Sequence, residues 1–198
     1  VLDTFGAEFI YNKLAHIVSK EDKSSTNKNR KILSDPHPAD YDWRFNSRTI
    51  TKYLNELSLA PHKKVALLGT KTIFTGLIDR HIDTIIFNRS SSLLNDFRSN
   101  GYIAGLVECD LFNMQPKYNN SFDLVIADPP WYLEFYKAFI NRSSEFLRLG
   151  GVLHLSVLQK FTRPNAEKDI KEVIQYASKV GLKLIEKKTR YFTYETPI

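Results

Sequence analysis

The run Phe122-Asp123-Leu124-Val125-Ile126-Ala127-Asp128-Pro129-Pro130-Trp131 is where this sequence is best equipped for chemistry. Its first six residues read as a buried strand, which delivers the carboxylate of Asp128 to the strand's end. The two prolines that follow have no N–H, so the turn offers backbone acceptors without donors. Proline also confines the residue before it to extended conformations, which stiffens Asp128. A carboxylate and turn carbonyls fixed in this way can accept both hydrogens of an amine and leave its lone pair aimed along one line. An in-line transfer to nitrogen requires that geometry. Accepting the hydrogens also draws the nitrogen toward a tetrahedral shape as charge develops on it. Trp131 adds a flat face on which a planar base can stack, or a cation–π wall for a charged amine. Asp128, Pro129, Pro130 and Trp131 are therefore the expected catalytic residues. The bland alternative is a strand-terminating turn with Trp131 in the core; the apolar strand before the motif and the amphipathic helix after it favour the functional reading.

Those elements alternate. Lys64 to Leu68 reads as a short apolar strand closed by Gly69, Thr72 to Ile78 as a helix, and Thr84 to Phe87 as a second strand. Ser91 to Phe97 reads as helical and Tyr102 to Val107 as extended. After Trp131 a helix carries Leu133, Tyr136, Phe139, Ile140 and Leu147 on one face and is expected to end at Gly150-Gly151. Val152 to Leu158 reads as a buried strand with His154 in the core, Asn165 to Val180 as a helix, and Leu182 to Tyr194 as one long strand or a hairpin. Upstream, Ser47 can cap a helix bearing Ile50, Tyr53, Leu54 and Leu57 that ends before Pro61. Aliphatic strands separated by helices imply right-handed crossovers. The expected fold class is α/β, a Rossmann-like doubly wound, mostly parallel sheet with helices on both faces. Ligands of such sheets bind outside the carboxyl ends of the strands, which singles out Gly69-Thr70, Asn88, Asp110 and Asp128.

Residues 1–18 place Phe5, Phe9, Ile10, Leu14 and Ile17 at spacings that fit a short amphipathic helix. Residues 19–31 have no apolar periodicity and read as a flexible basic linker. The expected organisation is thus an N-terminal helix and linker over 1–34 and one domain over 35–198, a fragment of a longer chain. The 198 residues carry a net charge of +6, which favours a polyanionic partner such as nucleic acid. Arg142, Arg148, Lys160 and Arg163 could line a path for one, although most of them read as solvated faces. A single cysteine, Cys109, excludes an internal disulfide, and five scattered histidines give no metal-site spacing, so no metal is expected. No apolar run is long enough to span a bilayer and no leader is visible, so the expected location is intracellular and cytoplasmic, without membrane contact.

The Asp128-Pro129-Pro130-Trp131 motif in this setting resembles the amino-methyltransferases, whose fourth motif reads Asp/Asn-Pro-Pro-aromatic. Tyr41-Asp42-Trp43-Arg44-Phe45-Asn46, Val65 to Gly69, and Phe122 to Trp131 are together similar to two relatives within that group. One is the N6-adenine methyltransferase-like family, which includes protein-lysine methyltransferases; the other is the branched-chain polyamine synthases, which transfer aminopropyl groups. The resemblance covers roughly residues 41–185. It implies a class I transferase that uses S-adenosylmethionine, with Gly69 and Thr70 in the loop after the first strand and Asn88 where an acid usually binds the ribose. Asp110, Leu111 and Phe112 fall beside the adenine, although Asp110 reads equally as a loop-start turn residue. Tyr41, Trp43 and Phe45 before the first fold helix could cover donor or substrate, or equally form a hydrophobic lid for the core. The loop keeps one glycine only, and Asn88 supplies no charge. The first expectation is methylation of N6 of adenine in DNA or RNA, with a protein partner supplying target recognition. The alternatives are a protein lysine or a polyamine, where Asp128 would also receive a proton from the ammonium, and a scaffold subunit with a decayed donor pocket.

Overall fold

The computed structural model describes residues 6–11, 44–57, 63–113, 116–157, 159 and 164–195. The elements run β1 (Gly6–Tyr11), β2 (Arg44–Phe45), α1 (Ser47–Glu56), β3 (Lys64–Leu68), α2 (Lys71–Ile78), β4 (Asp83–Asn88) and α3 (Ser91–Ser99). They continue as β5 (Leu106–Glu108), β6 (Phe122–Ala127), α4 (Leu133–Phe146), β7 (Leu147–Val157), α5 (Ala166–Lys179) and β8 (Glu186–Glu195). All eight strands form one sheet in the order β2-β8-β1-β7-β6-β3-β4-β5. The five from β5 to β7 are parallel.

Alternation along the strands separates two apolar layers. Val65 and Leu67 point to the face covered by α1, α2 and α3, where they meet Tyr53, Phe74 and Phe97. Ala66 and Leu68 point to the opposite face, covered by α4 and α5, where they meet Tyr136, Phe139 and Val173. With both faces covered, β6 is buried at all six positions, Phe122–Ala127. That is why its sequence is nearly continuous in apolar residues. Its one charge, Asp123, is clamped at the strand's start: it accepts from the Lys64 N–H at 2.9 Å and from Lys63 Nζ at 3.1 Å, and it pairs with Arg148. Burial pushes this carboxyl up, but the Lys64 N–H and the Lys63 and Arg148 charges outweigh burial and hold it below the usual range.

Three expectations are corrected. Gly6–Tyr11 is a strand and not part of a helix, and it pairs antiparallel with β7 (Phe9↔Ser156) and with β8 (Phe9↔Lys188). Its backbone groups thus find partners far along the chain, at residues 155–157 and 186–193, which no local periodicity reports. Helix α4 stops at Phe146, so Leu147 opens β7 opposite Phe122 and Gly150-Gly151 lie within that strand. The cap of α1 is Asn46, whose side chain accepts from the Thr49 N–H at 2.8 Å, one residue before Ser47. Of Leu182 to Tyr194, the part from Glu186 on is the single strand β8, and residues 182–185 lead into it without regular structure. The basic linker of residues 19–31 lies outside the described residues. No helix among the described residues is long and apolar enough to cross a membrane.

Candidate functional site

Strand β3 has β4 on one side and β6 on the other, so the chain leaves the sheet centre in two directions. The crevice between those directions opens at the carboxyl ends of β3 and β6. Gly69 closes β3 with φ +76°. A Cβ there would meet the Asp128 carbonyl oxygen at 2.5 Å and a Phe139 ring carbon at 3.5 Å, so the backbones of the two loops touch. The Asp128 N–H donates to the Leu68 carbonyl at 2.9 Å. The buried Thr70 hydroxyl donates across the same gap to the Ile126 carbonyl at 3.3 Å.

Asp128 is held from the far side of the sheet. The Tyr194 hydroxyl on β8 donates to Asp128 Oδ1 at 2.8 Å, and Ser156 Oγ on β7 lies 3.0 Å from the same hydroxyl. Burial pushes the Asp128 carboxyl up to about 6, against the opposing pull of the Tyr194 and Ser156 hydroxyls and of the Lys71 charge. Burial and the neighbouring Asp128 charge drive the Tyr194 phenol well above its ordinary value, so it remains a hydrogen-bond donor. Trp131 meets the Tyr194 ring edge to face, with centroids 5.9 Å apart. Pro129 is buried and Pro130 exposed. The Pro130 carbonyl is engaged by the Tyr132 N–H at 2.8 Å, so the start of α4 takes up one of the turn's acceptors.

The strand ends toward the sheet's edge carry the other expected residues. Asn88 ends β4, and its Oδ1 accepts from the Ser90 N–H at 2.8 Å. Its register partner on β5 is Glu108, which is exposed. Asp110 is also exposed and shapes its own loop, accepting from the Phe112 N–H at 3.0 Å and from Asn113 Nδ2 at 2.9 Å. Arg142 secures this loop by donating to the Leu111 carbonyl at 3.0 and 3.3 Å, and pairs with Glu145 at 2.6 Å. Phe112 is 52% exposed and sits edge-on to Phe135 at 5.5 Å.

Gly69, Thr70, Asn88, Asp110, Leu111, Phe112 and Asp128 to Trp131 therefore share one edge of the parallel sheet. Phe45 does not join them. It is 2% exposed and packs on Phe192 at 4.4 Å and Tyr194 at 5.0 Å, so it offers a ligand no face and instead supports the phenol that holds Asp128. Tyr41 and Trp43 lie outside the described residues, as do Lys160 and Arg163. Arg148 is spent on Asp123 rather than on a polyanion path. Sequence reasoning missed Tyr194, Ser156 and Lys71. A tyrosine in an aromatic strand 66 positions after an aspartate carries no spacing signal. His154 is buried beside Tyr53, whose hydroxyl lies 2.6 Å from its Nδ1. A cavity of about 230 Å³ between β7 and α5 is lined by none of the expected site residues. Among the described residues no group of three or more His, Cys, Asp or Glu could hold a metal ion.

Among solved structures the chain superposes on a branched-chain polyamine synthase mutein from Thermus thermophilus with a TM-score of 0.66 and 14% identity, over 84% of this chain and 51% of that one. The fold is Rossmann-like. The same Rossmann-like core matches PigF, in its structure with SAH, at a TM-score of 0.53 and 13% identity, over 76% of this chain and 61% of that one. It also matches a protein from Bacillus halodurans assigned as a methyltransferase, at 0.50 and 12%, over 68% of this chain and 78% of that one. At these identities the likeness establishes the fold alone, an α/β Rossmann-like arrangement. The chain spans about half the length of the polyamine synthase. No protein-family model and no curated protein matches it.

Proposed function

We propose that this chain is a transferase that binds an S-adenosylmethionine-type donor at the ends of β3, β4 and β5 and moves an alkyl group onto an amino nitrogen held at Asp128-Pro129-Pro130-Trp131. The observation that carries this reading is the Asp128 carboxylate, set at the crevice of a Rossmann-like sheet and held by Tyr194 at 2.8 Å. The donor set fits. The exposed Asp110 carboxylate keeps lone pairs beyond its two loop hydrogen bonds for an adenine amino group, and Gly69 lets the β3 loop lie close to Asp128. Asn88 Oδ1, already engaged by Ser90, is the weaker element, since it brings no charge to ribose hydroxyls. A bound donor supplies an electrophilic carbon on sulfur. The acceptor's lone pair forms the C–N bond as the C–S bond breaks with its pair to sulfur, and Asp128 takes the proton that leaves nitrogen.

The acceptor best matched to this carboxylate is an aliphatic amine of the lysine or polyamine kind. Such an amine arrives as an ammonium and must lose a proton before it can attack. A carboxylate lifted to about 6 is still ionised at neutral pH, so it attracts the ammonium, and it takes a proton at less cost than a carboxylate at its ordinary value would. The Thermus thermophilus synthase was solved in complex with a polyamine, N4-aminopropylspermidine, and 5'-methylthioadenosine, which supports an acceptor of this class. Adenine in nucleic acid is the second reading, favoured by the net charge of +6 and by the partly open face of Trp131.

Calorimetric titration with S-adenosylmethionine, its decarboxylated form and S-adenosylhomocysteine tests the donor, with Asp110→Ala as control. Binding that depends on Asp110 is the expected result, and preference for one donor selects methyl or aminopropyl transfer. A folded protein that binds none of the three overturns the reading in favour of a scaffold role. Labelled donor offered with spermidine, lysine peptides or adenine oligonucleotides then identifies the acceptor.

A further inference from the structure

We infer that Tyr194 is a positioning residue of the transfer: its hydroxyl holds Asp128 through Oδ1 and, with Ser156 beside it, fixes the carboxylate that receives the acceptor nitrogen. The inference rests on the reading of Asp128 as the acceptor-holding residue. A carboxylate offers about four lone-pair sites in two equivalent oxygens, so a turn alone leaves it free to rotate. Tyr194 removes that freedom, because its hydroxyl reaches Oδ1 at 2.8 Å from a strand on the other side of β7 and β1. The phenol is itself fixed on three sides. Phe45 packs at 5.0 Å, Trp131 lies edge-on at 5.9 Å, and Ser156 Oγ stands 3.0 Å from the hydroxyl. Trp131 belongs to the acceptor motif, so one side chain locks both the carboxylate and the aromatic wall of the site. The charged and titratable groups around Asp128 are Tyr194 on β8 and Lys71 at the start of α2, with Tyr136 on α4 next to the phenol. Tyr194 stays protonated and so acts as a donor rather than as a base.

The test is Tyr194→Phe, which keeps the ring and its packing and removes only the hydroxyl, with Ser156→Ala as a second variant. Asp128 is followed by carboxyl-carbon NMR on aspartate-labelled protein, assigned with Asp128→Asn, beside the pH profile of transfer to a small amine. A donated hydrogen bond stabilises the ionised carboxylate, so Tyr194→Phe makes Asp128 titrate about one pH unit higher. The acid limb of the rate profile moves up with it, the plateau rate falls about tenfold and donor affinity stays the same. Ser156→Ala shifts the titration in the same direction by less. An active wild-type protein whose Tyr194→Phe variant keeps both the Asp128 titration and the acid limb overturns the positioning role alone. A wild-type protein that transfers to no amine overturns the underlying reading and this inference with it.

Discussion

Gly69 and Asp128 touch across the crevice so closely that a methyl group on the glycine would lie 2.5 Å from the aspartate's carbonyl oxygen. That carbonyl is main chain and cannot swing aside as a side chain would. The positive φ of Gly69 adds a second objection to any other residue, since a side chain there strains the backbone by about 1–2 kcal/mol. Gly69→Ala is therefore predicted to lower the unfolding free energy by about 2 kcal/mol or more and to displace the acceptor loop. Urea unfolding at equilibrium measures the first effect. A variant as stable as the parent would mean that the two loops do not meet as described.

Asp128 titrates near 6 when folded against 3.8 as an unperturbed side chain, with burial the main cause. The fold thus favours the protonated form. Below about pH 4 the group costs nothing, and its cost grows as pH rises toward 6 and is constant above. Asp128→Asn keeps an acceptor for Tyr194 and removes the charge, so it is predicted to be more stable than the parent above pH 6 by about 1–3 kcal/mol. The difference should vanish near pH 4. Denaturant titrations at pH 4, 5, 7 and 8 trace the curve, and an equal gain at pH 4 would refute the assignment. Transfer itself should be lost in the variant.

At the end of β4 a single substitution should improve the site. Asn88→Asp keeps the acceptor for the Ser90 N–H, 2.8 Å away, and supplies the charge that ribose hydroxyls prefer. Donor affinity is predicted to rise about tenfold, since hydrogen bonds to an ionised acceptor are about twice as strong as neutral ones. Calorimetry on both proteins decides, and weaker binding in the variant would place the ribose elsewhere.

His154 is sealed between the sheet and α1, where burial pushes it down to about 3, and it stays neutral with Tyr53 at 2.6 Å. Its folded value lies below the unfolded one, so its contribution is present above pH 6.5 and drains away as pH falls toward 3. Tyr53→Phe is predicted to cost about 1–2 kcal/mol at pH 7 by leaving Nδ1 without the phenol. His154→Leu should flatten the loss of stability between pH 6.5 and 4. Thermal unfolding across that range reads both.

What the sequence disclosed, and what it hid, follows from the range of each interaction. Strands β3, β4 and β6 were legible because burial on both faces demands aliphatic runs such as Val65 to Leu68, and such runs are local. Asp128 was legible for the same reason, being the polar residue at which such a run stops. Strand β1 was hidden, since Phe9 and Ile10 fit a helical stripe as well as a pleat, and only pairing with residues 155–157 and 186–193 settles the matter. Tyr194 was hidden too. Its partner is fixed by sheet order, with β8 brought beside the site through β1, and sheet order is not written in any window of sequence.

The hydrogen bond from the Asp128 N–H to the Leu68 carbonyl is one more rung of the β3–β6 ladder, continued one residue past the last strand position. In the proposed reading, donor and acceptor sit at the tips of these two neighbouring strands. The two loops that would hold them are then spaced by a backbone dimension, the roughly 4.8 Å between adjacent strands. A spacing of that kind does not drift with rotamers or with loop breathing. Side chains at the rim can differ without altering the spacing of the two loops beneath them.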